Sequence, residues 1–197
     1  MPDFPGAEQF IFEKISRELP SNLSYHGVHH TLDVLAAAMR IAAAVGLDEE
    51  EVKLLRVAVY FHDAGFISTY KGHEEVGCQM AKQVLPSFGF DDQMIEQICG
   101  MIMATRLPQQ PKTVAEQVIA DADLDYLGRD DFYPIGETLF HEFRIYLGVS
   151  DEQEWNRIQI NFLRSHSYHT QYVQELRSTA KAERLKELEA LVYTHDR

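Results

Sequence analysis

Residues that could cross-link this chain are scarce. Its 197 residues include two cysteines, Cys78 and Cys99, with no CxxC spacing. Both fall in stretches of helical periodicity, so buried free thiols are expected, with the cytoplasm as the natural compartment. Positive charge is also short: 18 Lys and Arg face 31 Asp and Glu, for a net charge of −13. A surface that negative repels a polyphosphate backbone and argues against a nucleic-acid polymer as partner. Small anions remain open, because a metal or a few local cations can reverse the potential at one site. No long uninterrupted apolar run occurs. The oiliest stretch, LDVLAAAMRIAAAVGL, contains Asp33 and Arg40 and reads as too short and too polar to span a bilayer. The opening MPDFPGAEQF has no basic segment leading into an apolar one, so neither a signal peptide nor a membrane partner is expected.

Alternating apolar and polar residues are missing as well, which removes the main signal for strands. What is present is helical spacing almost throughout. It predicts an all-α fold, one domain over residues 1–197, with helices at about 5–19, 29–45, 48–63, 73–86, 91–104, 111–122, 134–147, 151–166 and 168–193. Gly46 should stop the second helix, and Asp48 should cap the third, with three glutamates following it at the positive end of the helix dipole. RLPQQPKT reads as a loop, since two prolines and no apolar period leave nothing to build a helix on. The last helix, with its KAERLKELEA surface, reads as a solvated amphipathic helix; packing or homodimer formation through it is the other reading.

Against that background, YFHDAG at residues 60–65 poses a question. An oily helix ends in an adjacent imidazole and carboxylate, which is costly unless something compensates both. Three other places supply ligand-type side chains: YHGVHHT with His26, His29 and His30, the GHEEVG segment with His73, and IADADLDYLG with Asp121 and Asp123. Singly, each has an ordinary explanation, as a surface histidine, a hydrogen-bonded pair or a capping aspartate. Together they offer imidazoles and carboxylates from separate helices, a mixed nitrogen and oxygen set suited to Mn²⁺, Fe²⁺, Co²⁺, Ni²⁺, Zn²⁺ or Mg²⁺.

The combination YHGVHHT, FHD and DADLDYLG resembles the H…HD…D signature of the HD superfamily of metal-dependent phosphohydrolases, over roughly residues 22–130. The resemblance implies a helical bundle with a divalent metal in its core, held by His30, His62, Asp63 and Asp123, with Asp121 the less favoured choice of fourth ligand. It also implies His26 as the acid that protonates a leaving group, the part its counterpart plays in the phosphodiesterase branch. Two positions depart from the pattern: Gly27 stands where the YHN form has Asn, and Thr105 stands where binuclear members often carry a second His. One ion per chain is therefore expected, with a second near His73 as the alternative; His73 is also the next candidate for the acid.

The function this implies is hydrolysis of a phosphoester in a nucleotide or another small phosphorylated metabolite, with Asp63 also hydrogen-bonding the attacking water. A non-catalytic nucleotide-binding module and a di-iron oxygenase are the competing readings, and Thr105 counts against the latter. Lys71, Arg106 and Arg129 stand beside ligand segments and are the candidate phosphate contacts, Arg106 first among them because loops on rigid scaffolds carry such contacts. Asp33 reads either as a group orienting an imidazole or as an exposed carboxylate. Tyr25, Phe61, Phe66, Tyr70 and Tyr126 read mostly as core, with stacking on a base as the other use.

Overall fold

The computed structural model describes residues 1–195 and contains nine α-helices and no strand among them. They are α1 (Phe4–Glu18), α2 (Val28–Val45), α3 (Glu49–His62), α4 (His73–Val84), α5 (Asp92–Ala104), α6 (Val114–Asp123), α7 (Phe132–Tyr146), α8 (Glu152–Ser165) and α9 (Gln171–His195). Single 3-10 turns at Ala64–Ile67, Leu85–Phe88 and Asp125–Gly128 were not expected from the sequence. Local chemistry accounts for several ends. Asp48 accepts from the backbone of Glu50 and Glu51, while Glu51 reaches back to the Asp48 amide, a full capping box at the start of α3. Asp91, Thr113 and Asp151 cap α5, α6 and α8 by accepting from the amide three residues on.

The boundaries shift by a few residues where partners elsewhere in the chain intervene. The sixth helix starts at Val114, after the proline loop, and runs to Asp123; the ninth starts at Gln171, after Thr170, whose hydroxyl accepts from the Val173 amide and donates to Asp121. By length and mean hydropathy α2 is apolar enough to cross a membrane, against the reading of its sequence. In the structure its apolar face instead enters the core through Val34, Ala37, Ala38, Ile41 and Ala42.

One apolar cluster runs from Ala7 in α1 to Leu188 in α9, and α2, α3, α5 and α6 form its centre. The last helix is thus a packing helix. Its Val173 and Leu188 are buried, and it lies along α8 and the Asp125–Gly128 turn. Gly128 permits that approach, since a Cβ there would sit 2.5 Å from the Arg177 carbonyl oxygen. A smaller cluster of Phe140, Val149 and Trp155 joins α7 to α8 outside the main core. Between these two clusters lies a cavity of about 470 Å³.

Candidate metal centre and its cavity

The segments that supply ligand-type residues meet at the inner end of this cavity. α2 brings His30 in its first turn, α3 ends at His62 with Asp63 as its cap, and α6 ends at Asp123. His30, His62 and Asp123 each offer a ligand atom, all within 4.8 Å of one another. Asp63 lies beside this group: its Oδ2 is 3.2 Å from His62 Nε2 and 3.4 Å from His30 Nε2. Asp123 Oδ1 lies 3.0 Å from His30 Nε2 and 3.6 Å from His62 Nε2.

His62 is fully buried and its tautomer is fixed, because Nδ1 donates to the Val59 carbonyl at 2.7 Å and leaves the Nε2 lone pair facing the carboxylates. His62 Nε2 and Asp63 Oδ2 are buried with no hydrogen-bond partner. Such atoms cost free energy unless a ligand completes them, and a donor set of two imidazoles and two carboxylates fits a divalent ion. Burial works against charge on His62, but Asp63 and Asp123 outweigh it and hold the imidazole well above its ordinary pKa. The converse holds for Asp63, where His62 overcomes burial and keeps the carboxyl well below the usual range.

Asp63 has a second neighbour, since its other oxygen, Oδ1, is 3.4 Å from His73 Nε2. The glycine of YFHDAG explains this proximity. A Cβ on Gly65 would come within 1.9 Å of the His73 carbonyl oxygen, so only glycine lets the turn after Asp63 close on the start of α4. Phe66 then lies between two rings, with centroids 4.3 Å from His26 and 3.9 Å from His73. Thr105 also lines the cavity, with its hydroxyl donating to the Ile102 carbonyl.

His26 reaches the same cavity and is held by a residue that sequence reasoning missed. Glu142 of α7 is fully buried; it accepts from His26 Nδ1, from the Tyr70 hydroxyl at 3.0 Å, and from the amides of Tyr25 and His26 at 2.9 and 3.1 Å. Burial alone would raise its carboxyl pKa, yet His26 and the two amides bring it below the ordinary value. The sequence does hold a clue: Glu142 shares a helix face with Leu139, Ile145 and Tyr146, an odd place for a solvated acid.

Other expected site residues lie elsewhere. Arg129 is not at the cavity, because its guanidinium is committed to both oxygens of Asp33 at 2.9 Å and to Asp131 at 2.5 and 2.8 Å. The same pairing shows that Asp33 serves Arg129 and not an imidazole. Asp121 is turned away to α9, where it accepts from the amides of His169 and Thr170 and from the Thr170 hydroxyl. Phe61 is sealed in the core, whereas Tyr25, Phe66, Tyr70 and Tyr126 line the cavity. Lys71 and Arg106 sit at its exposed rim, with Arg106 paired to Glu75.

Residues 27–125 match the model of the HD domain family, which is half of the chain, and the chain belongs to that family. The fold is similar to the crystal structure of a predicted HD superfamily hydrolase from an uncultured Thermotogales bacterium. That likeness has a TM-score of 0.59 and 18% identity, and covers 98% of this chain and 93% of the other. No curated protein matches.

Proposed function

We propose that this chain is a metal-dependent phosphohydrolase acting on a phosphoester of a small phosphorylated metabolite, nucleotides among them. The observation that carries the reading is the pair of unpartnered buried atoms, His62 Nε2 and Asp63 Oδ2, where two imidazoles and two carboxylates converge beside a cavity. A divalent ion held by His30, His62, Asp63 and Asp123 supplies Lewis acidity toward a phosphoryl oxygen and lowers the pKa of a water, which makes a nucleophile available near neutral pH.

The chain's own groups complete the chemistry. Glu142 holds His26 through Nδ1, leaving Nε2 as the ring nitrogen able to deliver a proton to a departing alkoxide. Both oxygens of Asp63 have imidazoles nearby: His30 and His62 on the side of the single expected ion, and His73 at Oδ1, where it is the next candidate acid and the alternative position for a second, weaker ion. Lys71 and Arg106 at the rim would meet the phosphate, Arg106 after release from Glu75. The buried aspartate between two potential ion positions favours catalysis over binding alone, since simple ligand capture does not need it.

The test is metal content by mass spectrometry, on the protein as purified and after incubation with Mn²⁺, beside Asp63→Ala. Wild type should hold a single ion per chain and cleave 4-nitrophenyl phosphate or its diester in that metal. Asp63→Ala should lose both the ion and the activity while keeping its helical circular dichroism. Full occupancy in the variant would place the metal elsewhere.

A further inference from the structure

The cavity has two chemically different ends. One carries the imidazoles and carboxylates described above; the other is walled by α7 and α8 through Leu139, Phe143, Trp155, Ile158, Phe162 and Leu163. Among the side chains these two helices contribute to the lining, only Gln159 and the indole N–H of Trp155 offer polar groups, and the Gln159 amide donates to Asn156 at 3.4 Å. The apolar character continues to the mouth, where Leu107 and Leu147 are 55% and 44% exposed. These two side chains extend the apolar wall of the cavity out to solvent.

We infer that this arm takes the apolar alcohol portion of the substrate, so that the molecule cleaved is an amphiphilic phosphoester: a phosphoryl head at the metal centre and an alkyl or isoprenoid-type chain between α7 and α8. The inference rests on the phosphohydrolase reading for the head and on the cavity wall for the tail. A nucleobase and ribose fit the wall poorly. Each carries several hydrogen-bonding groups, and groups left unpaired in an apolar pocket cost more than the contacts return. A di- or triphosphate fits poorly too, because the cations at the cavity are Lys71 and the already paired Arg106. A saturated chain asks for neither; it gains from burial alone, and the cavity is large enough to enclose most of a small ligand.

The experiment titrates Mn²⁺-loaded and metal-free protein with n-alkylphosphonates of one to ten carbons, below their critical micelle concentrations, and with adenosine 5′-phosphate. Isothermal calorimetry reads each Kd. Affinity should rise about three- to fourfold per methylene until the arm is filled, at about 0.8 kcal/mol per buried CH₂. Octylphosphonate should then bind more tightly than the nucleotide. In metal-free protein every Kd should weaken by a common factor while the slope per methylene persists, which separates the arm from the ion. Leu139→Trp and Ile158→Trp, placed on the two facing helices, should each flatten the slope, so a folding defect in one leaves the other to decide. A slope near unity in wild type, or tighter binding of adenosine 5′-phosphate than of octylphosphonate, overturns the inference and leaves the phosphohydrolase reading standing. Failure of Mn²⁺ to bind, with the slope intact, overturns that reading and leaves the apolar arm.

Discussion

Three aspartates at alternating positions in the single stretch DADLD have three different fates, and the contrast shows why one of them is the candidate ligand. Asp121 is saturated by the start of α9, with two backbone amides and a hydroxyl on its two oxygens. Asp125 is saturated by arginines: Arg177 donates at 2.9 and 3.2 Å and Arg40 at 2.8 Å, with Arg129 3.7 Å away. Asp123 faces two imidazoles instead, close to two polar atoms that have no partner at all. The first two carboxylates finish their hydrogen bonding within the protein and so hold the fold together. The third leaves its surroundings incomplete, and an incomplete cluster of donors is where a ligand gains affinity.

The contrast can be broken one aspartate at a time. Asp123→Ala should have the largest effect: Mn²⁺ affinity, measured by calorimetry, should fall by more than about 100-fold, as for loss of a direct ligand. The Asp121→Ala variant should retain that affinity once folded, and loss of the ion there would reverse the assignment of the fourth ligand. Asp125→Ala should act on the fold instead, costing roughly 3 kcal/mol in urea unfolding because a buried carboxylate vanishes from among its arginines. Mn²⁺ affinity per folded molecule should be unaffected; a matched loss would tie the arginine cluster to the metal centre. Asp121→Ala should be milder, at about 2 kcal/mol, the scale of buried donors left without their acceptor. Amide exchange should then quicken in the first turn of α9, and unchanged exchange would mean that packing alone holds the helix.

Two imidazoles, one buried and one half-buried, extend the comparison. His62 sits among carboxylates that favour its charge, whereas His166, at the end of α8, is pushed down to about 3 by burial and by the Lys181 ammonium. Its Nδ1 lies 3.2 Å from the lysine Nζ as an acceptor. A folded-state pKa below the unfolded value means stability fully present above about pH 6.5 and lost as the pH falls toward that lower value. The loss should approach about 1 kcal/mol per pH unit below pH 6. His166→Asn should remove that part of the slope in unfolding measured from pH 7 to 5, and an identical slope in the variant would assign the acid sensitivity to other groups.

Much of this was legible in the residues themselves because it depends on near neighbours in the chain. Helical periodicity gave nine helices close to where they lie, and the caps at Asp48 and Asp91 follow from a carboxylate meeting free amides two or three residues on. The residue types in YHGVHHT, FHD and DADLD announced a mixed nitrogen and oxygen set, and their resemblance to the HD signature placed the chain in its family. Asp123 was preferred to Asp121 on that resemblance; helix spacing did not separate them.

What only the tertiary structure decided involves partners far apart in sequence. His30 and Asp123 are 93 residues apart, and His26 and Glu142 are 116 apart, so no local pattern announces either contact. Arg129 sits beside a ligand segment and still points to Asp33 and Asp131, because an arginine fork goes wherever the packing offers it carboxylates. The apolar arm has the same origin: helical periodicity marks α7 and α8 only as helices. Only their docking, with one small cluster joining them outside the main core, leaves a cavity in place of a contact. The sequence determines which groups can bind a metal or fill a core; packing decides which of them are left without a partner.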